Sequence, residues 1–342
     1  MTDPRPASGK RTSAAAALTA LAALALSSCG TSVSPEAAPQ GTAQEGYPVT
    51  VQNCGTELTF EAEPTRLVGL SPSQTELLVE LGQADQLVGQ AQTDTDELPA
   101  ELSEQVADVP VLSDSAPPTR ETLLEVTPDF VYSPTTYEFT TEQGFASTDQ
   151  LAEAGANAYV ATGGCPERRQ SGTVDDVFTD IENLGMVFAE PERAAELAGE
   201  GQERLAAVSS AIEGAELPTV AQLYVDGTTL SAIGSGVEYD IILQAGGDNV
   251  FDPDESAFAD FFAATITPEE VTSRDPDAIV FGVKDSEHEA AVRSYLTETF
   301  PDVTAVAEDR LIAVPGSDLF PGTLGNIGAV ERIAEGLHPD RF

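Results

Sequence analysis

Glu121-Thr-Leu-Leu-Glu-Val-Thr-Pro-Asp-Phe-Val-Tyr132 and Glu269-Glu-Val-Thr-Ser-Arg-Asp-Pro-Asp-Ala-Ile-Val280 align without a gap at an offset of 148 residues. Both begin on Glu, carry an aliphatic residue two places on, and reach Pro-Asp seven and eight places on, before an apolar run. Proline cannot continue a helix and pushes its predecessor toward extended geometry. Each segment therefore reads as a helix that stops and a buried strand that follows. One such connection is generic turn chemistry. A second echo, Leu77-Leu-Val-Glu-Leu-Gly82 with Ile241-Ile-Leu-Gln-Ala-Gly246, falls in the same order. Two matches in order favour two related lobes.

Outward from these segments a βα rhythm is visible. Residues 66–70 form a short apolar run, and a helix at 74–81 follows. Pro72 near its start and Gly82 just past its end are the expected punctuation. Strands are expected at 87–89, 129–132 and 158–161, with helices at 121–126 and up to residue 154. The rhythm restarts with runs at 220–225, 241–243, 278–283 and 311–314. Strands alternating with helices predict parallel sheets covered on both faces. Between the two series lies an amphipathic stretch with Val177, Phe178, Ile181 and Leu184 on one face. After Gly185 and Pro191 a second helix runs to about residue 212, a rod of roughly 33 Å. The expected class is α/β, organised as an N-terminal lobe at 47–172, a linking helical region at 173–213 and a C-terminal lobe at 214–342.

The chain has 58 acidic and 15 basic residues in 342, a formal charge of −43. Such a surface repels nucleic acid and anionic headgroups, so no nucleic-acid partner is expected. The acids are spread among apolar runs, which points to a folded, strongly solvated surface rather than a disordered chain.

Arg5, Lys10 and Arg11 precede an apolar stretch at 14–26 that is too short to span a bilayer. Leu26-Ser-Ser-Cys29-Gly30 then resembles the bacterial lipobox. That reading makes 1–28 a lipoprotein signal peptide and Cys29 the lipidated first residue, anchored to the outer face of the cell membrane. The Ser-, Pro- and Gly-rich stretch at 29–46 reads as a flexible tether. Cys54 and Cys165 remain. An exported compartment is oxidising, and the pair has neither CxxC spacing nor a nearby His, so a disulfide is expected, with two separate buried thiols or a metal pair as the alternatives.

Leu70-Ser-Pro-Ser-Gln-Thr-Glu-Leu-Leu-Val-Glu-Leu-Gly82 followed by Asp85-Gln-Leu-Val-Gly89 resembles the opening motif of the ABC-importer binding proteins for iron–siderophores, haem and cobalamin. The segments 121–132, 243–250 and 269–280 are similar to further motifs of that family. The resemblance spans about residues 48–340. It implies two Rossmann-like lobes joined by one long backbone helix, a ligand cleft between them, small closures and no enzymatic activity. It also implies a monomer without a resident cofactor, whose partners are a permease with its ATPase subunits. An iron–siderophore is the first expected cargo, with corrinoid, haem or a deazaflavin precursor as alternatives. Asn53-Cys54-Gly55 and Gly163-Gly-Cys-Pro166 are similar to an actinobacterial-type branch with these assignments. Glu121 and Glu269 occupy the positions of the family's two permease-docking glutamates, one per lobe; solvated helix-start glutamates are the other reading.

In open α/β sheets ligands bind beyond the carboxyl ends of strands. That rule nominates Ser71, Thr93, Ser133 and Tyr137 in the first lobe, and Tyr224, the Asp226-Gly227 loop and Lys284 in the second. Phe139 and Phe320 are further aromatic candidates. Arg168 and Arg169 are scarce cations that either meet an anionic ligand or pair with acids. The family's C-terminal Arg is absent from Phe320-Pro-Gly-Thr-Leu-Gly-Asn326, which argues against a strongly anionic siderophore. No metal site is expected, because His288 and His338, both read as surface residues, are the only histidines. An enzyme lacks support: Gly-x-Ser-x-Gly, HExxH and Walker motifs do not occur. A non-transport surface lipoprotein is the remaining class, and it leaves the duplication unexplained.

Overall fold

The computed structural model describes residues 44–342 except Glu97 and Thr228. The expected signal peptide at 1–28, Cys29 and the tether as far as residue 43 lie outside the described residues.

The described chain opens as a hairpin of β1 (Val49–Asn53) and β2 (Thr56–Phe60). Cys54 and Gly55 connect them at φ of 46° and 72°. Positive φ at both central positions gives the turn whose twist suits paired strands. Asn53 then mimics a strand: Nδ2 donates to Val160 O at 2.6 Å and Oδ1 accepts from Val160 N at 2.9 Å. A disulfide joins Cys54 to Cys165, with Cα atoms 5.1 Å apart. Hairpin and first lobe are thus fastened at one corner.

The first sheet contains β3 (Leu67–Gly69), β4 (Leu87–Ala91), β5 (Val111–Ser113), β6 (Phe130–Ser133) and β7 (Asn157–Val160). Their order is β5-β4-β3-β6-β7, all parallel. β3 and β6 are buried along their whole length, which is why their sequences read as unbroken apolar runs.

The second sheet departs from the expected parallel pattern. β8 (Thr219–Asp226), β9 (Thr229–Ile233), β10 (Asp248–Asn249), β11 (Ala263–Thr265), β12 (Ala278–Val283) and β13 (Leu311–Pro315) form it. The order is β11-β9-β8-β12-β13, with β10 beside the start of β8. β8, β10, β12 and β13 are parallel, but β9 runs antiparallel to both its neighbours, β8 and β11. The reason is local. Asp226-Gly227 lies in a tight reversal between β8 and β9, where the sequence suggests a cleft loop. Residues 241–243, grouped above with the strand-like runs, lie in the helix Val237–Gln244. Ile241 and Ile242 are buried while Leu243 is exposed, as on a helix, and the echo of the helix Pro72–Glu80 is the better guide.

The duplicated Pro-Asp has a structural purpose. Asp129 accepts from Thr65 N at 2.9 Å and Arg66 N at 2.8 Å, just before β3. Asp277 accepts from Thr219 N and Oγ1, both at 2.8 Å, at the start of β8. In each lobe the carboxylate takes free N–H groups at the mouth of the central strand and sets the register of its neighbour.

Two helices link the lobes, Asp176–Val187 and Pro191–Ala211. The second is the expected rod. Arg193 binds Glu80 in the first lobe, Nε to the backbone O at 2.8 Å and Nη2 to Oε2 at 2.7 Å. Arg204 forks onto Glu331 in the second lobe at 2.9 and 2.5 Å. One apolar core runs from Phe60, Leu67 and Phe130 through Ile181 and Leu197 to Val220 and Ile333. Relative movement of the lobes has to bend around this shared core, which favours small closures.

Candidate ligand cleft

The first sheet changes direction of growth between β3 and β6, the usual switch point for a ligand. Here the protein fills that crevice itself. The loop after β13 crosses from the second lobe: Gln74 Nε2 donates to Pro321 O at 3.1 Å, and Tyr132 OH donates to Gly322 O at 3.1 Å. Gly322 has φ of 73°, and a Cβ there would stand 2.4 Å from that of Ala161 and 2.6 Å from Tyr132 OH. Ser317 N donates to Asp96 of the first lobe at 3.0 Å. Ser71 and Ser133 are both buried. Ser71 hydrogen-bonds Ser73 and Gln74; Ser133 lies 2.8 Å from Thr135 O and 3.0 Å from Glu138 Oε2.

The open space is displaced onto the second sheet. A cavity of about 550 Å³ is walled by Tyr224, Phe261, Phe262 and Phe320, with Lys284 and His288 at its polar side. Its volume is typical of small-molecule sites, which run from about 300 to 1,000 Å³. Tyr224, Phe261 and Phe320 are 47%, 56% and 39% exposed. Single exposed aromatics are ordinary, but three around one concavity mark a contact surface. Thr95 reaches the cavity from the first lobe. Burial, then Asp226, pushes the Tyr224 phenol up, so it stays a neutral donor.

The charge balance inside is unlike that outside. Glu238 is the acid on the lining, and it is paired with Arg169. Lys284 is the chain's only lysine besides Lys10. In a sequence this poor in lysine, its place after β12 is a signal legible without a structure. Lys284 also borders an adjoining polar hollow of about 360 Å³ that Arg293 and Arg332 share with Asp285 and Glu289. Thr93 lines a third hollow of about 340 Å³ in the first lobe. Tyr137 is exposed and packs edge-on against Phe145. Arg168 turns to Asp176, at 2.7 and 2.8 Å. Of the nominated contacts, the fold brings Tyr224, Lys284 and Phe320 into one cavity and leaves the others elsewhere. His288 is half-buried on the lining, and His338, expected at the surface, is buried with Nε2 3.1 Å from Gly246 O. Phe261 and Phe262 were not nominated; an adjacent aromatic pair in an acidic loop was the available sign.

Gln222, two residues before Tyr224 on the same face of β8, is fully buried with neither amide atom hydrogen-bonded. An unpartnered buried amide costs about 1–3 kcal/mol. Gln222→Leu is therefore expected to raise the melting temperature of the ligand-free protein. A fall on calorimetry would mean that bound water already satisfies the amide.

Glu121 and Glu269 both lie in first helical turns, of Arg120–Glu125 and Pro268–Arg274, and both are exposed. These helices lead into β6 and β12, the equivalent neighbours of the two central strands. The backbone N–H at the helix start, then Arg120, holds the Glu121 carboxyl below its usual range. Among the described residues no group of three or more His, Cys, Asp or Glu is arranged to hold a metal ion, and no helix is long and apolar enough to cross a membrane.

The periplasmic binding protein family model matches residues 67–317. The chain belongs to that family. A cobalamin-binding protein of Halobacterium salinarum is 26% identical over 88% of this chain and 79% of its own. An uncharacterised ABC transporter substrate-binding lipoprotein of Bacillus subtilis is 23% identical over 94% and 96%. Among solved structures, one described as an ABC-type Fe3+-hydroxamate transport system from Saccharomonospora viridis has a TM-score of 0.70 and 26% identity, covering 85% of this chain and 99% of its own. Membership accounts for the two-lobed fold and makes the chain a periplasmic-type binding protein.

Proposed function

We propose that this periplasmic binding protein is the lipid-anchored solute-capturing component of an ABC importer, and that its cargo is an iron–siderophore of neutral, hydroxamate-like chemistry. The aromatic-walled cavity beside the lobe junction is the observation that carries the reading. Its lining offers a large apolar surface, a phenol donor and a lone lysine, and it lacks the cluster of cations that a strongly anionic chelate needs. The hydroxamate-transport relative points the same way. The anchor is Cys29 and the location extracytoplasmic. ATP hydrolysis belongs to partner subunits, and the chain works as a monomer. A corrinoid is the second reading, favoured by the cobalamin-binding relative.

A thermal-shift series with hydroxamate, catecholate and citrate iron complexes, haem, corrinoids and deazaflavin precursors tests this. Ligand at a hundred times its dissociation constant adds about 2.7 kcal/mol. Stabilisation by ferric hydroxamates alone is the expected result; a corrinoid response alone moves the assignment to the second reading. Silence from every class leaves a surface lipoprotein without a transport role.

Glu121 and Glu269 are the proposed contacts to the permease, one charge-assisted contact per lobe. Replacing both by Ala is expected to abolish uptake while ligand affinity stays unchanged. Normal uptake by the double variant would remove docking from their roles.

A further inference from the structure

We infer that Arg169 is a positioning residue that shapes the ligand cavity of the second lobe from the first lobe, by clamping the aromatic wall at Phe262. The inference rests on the proposed role of that cavity.

Arg169 follows Cys165 on the loop leaving β7, and so belongs to the first lobe. Its guanidinium crosses to the second lobe. Nη1 donates to Glu238 Oε2 at 3.0 Å and Nη2 to Glu238 Oε1 at 2.6 Å. The two side chains are only 16% and 4% exposed. The same guanidinium lies over the Phe262 ring, 3.6 Å from its centroid. Phe262 in turn touches Phe261, with centroids 4.5 Å apart. Glu238, Phe262 and Phe261 all line the 550 Å³ cavity. A planar fork bound on its edge and stacked on its face holds a ring in one place, which a lysine ammonium cannot do.

The backbone around Arg169 is strapped down as well. Gly236 N donates to Gln170 O at 3.1 Å, Gln170 Nε2 to Ala259 O at 2.9 Å, and Val174 N to Asp240 Oδ2 at 2.8 Å. Gly236 has φ of 81°, and a Cβ there would come within 2.7 Å of Arg169 O and 2.8 Å of its Nη1. The disulfide at Cys165 fixes the other end of the strap to the hairpin. The loop is therefore tied to the first lobe at Cys165 and to the second at Gln170 and Val174, and the clamp on Phe262 belongs to the lobe arrangement seen here. Cavity shape and lobe separation are coupled through one side chain.

The test uses the full chain labelled with 4-fluorophenylalanine, its Phe261 and Phe262 signals assigned from single Phe→Leu variants. In Arg169→Lys those two 19F signals are expected to shift and broaden while the other phenylalanines stay in place. Glu238→Gln, which keeps an acceptor for the guanidinium, should displace the same two signals less, and it serves if the lysine variant does not fold. Arg204→Met, which loses a cation elsewhere on the linking rod, should move neither. Titration with ferrioxamine B and with cyanocobalamin forms the second arm. Whichever the wild type binds, Arg169→Lys should bind it at least about tenfold more weakly. Phe261 and Phe262 signals that coincide with wild type in Arg169→Lys overturn the positioning role. Displaced signals with unchanged affinity overturn its bearing on the ligand. If the wild type binds neither compound, the cargo assignment fails, and the fluorine spectra alone decide on Arg169.

Discussion

Reduction of the Cys54–Cys165 disulfide is expected to lower the melting temperature by several degrees, up to about 10 °C. The two cysteines stand 111 residues apart. Closing a loop of that length removes up to about 5 kcal/mol of chain entropy from the unfolded state, and measured gains are usually smaller. The native contacts at the bridge survive reduction in part, since Asn53 still pairs with Val160. The fold should therefore persist with lower stability rather than collapse. Calorimetry of the oxidised protein, the reduced protein and a Cys54→Ser/Cys165→Ser variant checks this. The last two should agree, because both lack only the cross-link. A reduced sample with two titratable thiols and an unshifted transition would show that the unfolded chain gains no freedom from losing the bridge. The same samples bear on the strap that carries Arg169, since its first residue loses its anchor.

The second large effect concerns pH. Glu76 lies on the helix Pro72–Glu80 of the first lobe, and Asp318 on the turn Ser317–Leu319 after β13 of the second. Burial, then the negative charges of Asp318, Glu80 and Asp96, pushes the Glu76 carboxyl up to about 7. Burial, then Asp96, pushes Asp318 up to about 7 as well, against an opposing pull from Arg332. In the unfolded chain both would titrate near 4. Between about pH 4 and 7 the native state holds protons that the unfolded state has released, so these groups favour folding most below that window. The contribution is lost as pH rises through 7, where two buried carboxylates must ionise side by side. Each is worth on the order of 3 kcal/mol over the window. Glu76→Gln/Asp318→Asn is therefore expected to be more stable than wild type at pH 8, with the gap closing toward pH 5. Asp180, buried and also pushed up to about 7, contributes with the same sign to both proteins and cancels from the difference. Parallel stability–pH curves for the two proteins would show that neither carboxyl changes its affinity for protons on folding.

Much of the architecture was legible because it is written in neighbours. The apolar runs at β3 and β6 are unbroken because both faces of a parallel strand are covered. Pro-Asp at 128–129 and 276–277 ends a helix and clamps the next strand to its partner, and the partner carries Pro-Thr at 64–65 and again at 218–219. The long helix Pro191–Ala211 begins on the proline that suits its first turn. The antiparallel turn after β8 was missed because Asp-Gly serves equally in a cleft loop and in a hairpin, and the choice depends on what pairs with β9.

The candidate site was legible only where composition singled out a residue. Lys284 is one of only two lysines in the chain, and Tyr224 sits near the end of a strand, so both could be nominated. Ser71 and Ser133 occupy the correct ends of their strands, yet both are buried and hydrogen-bonded to neighbours in their own loops. Arg169 meets Glu238 across 69 residues of chain, and no local pattern records that meeting. By itself, then, the sequence determined the α/β class, the duplication and the rod, since periodicity, helix stops and turns are set by residues a few places apart. The tertiary structure alone decided which crevice is filled and which is left open. A cavity is what remains after distant segments have packed, and its lining follows from contacts that no short window of sequence contains.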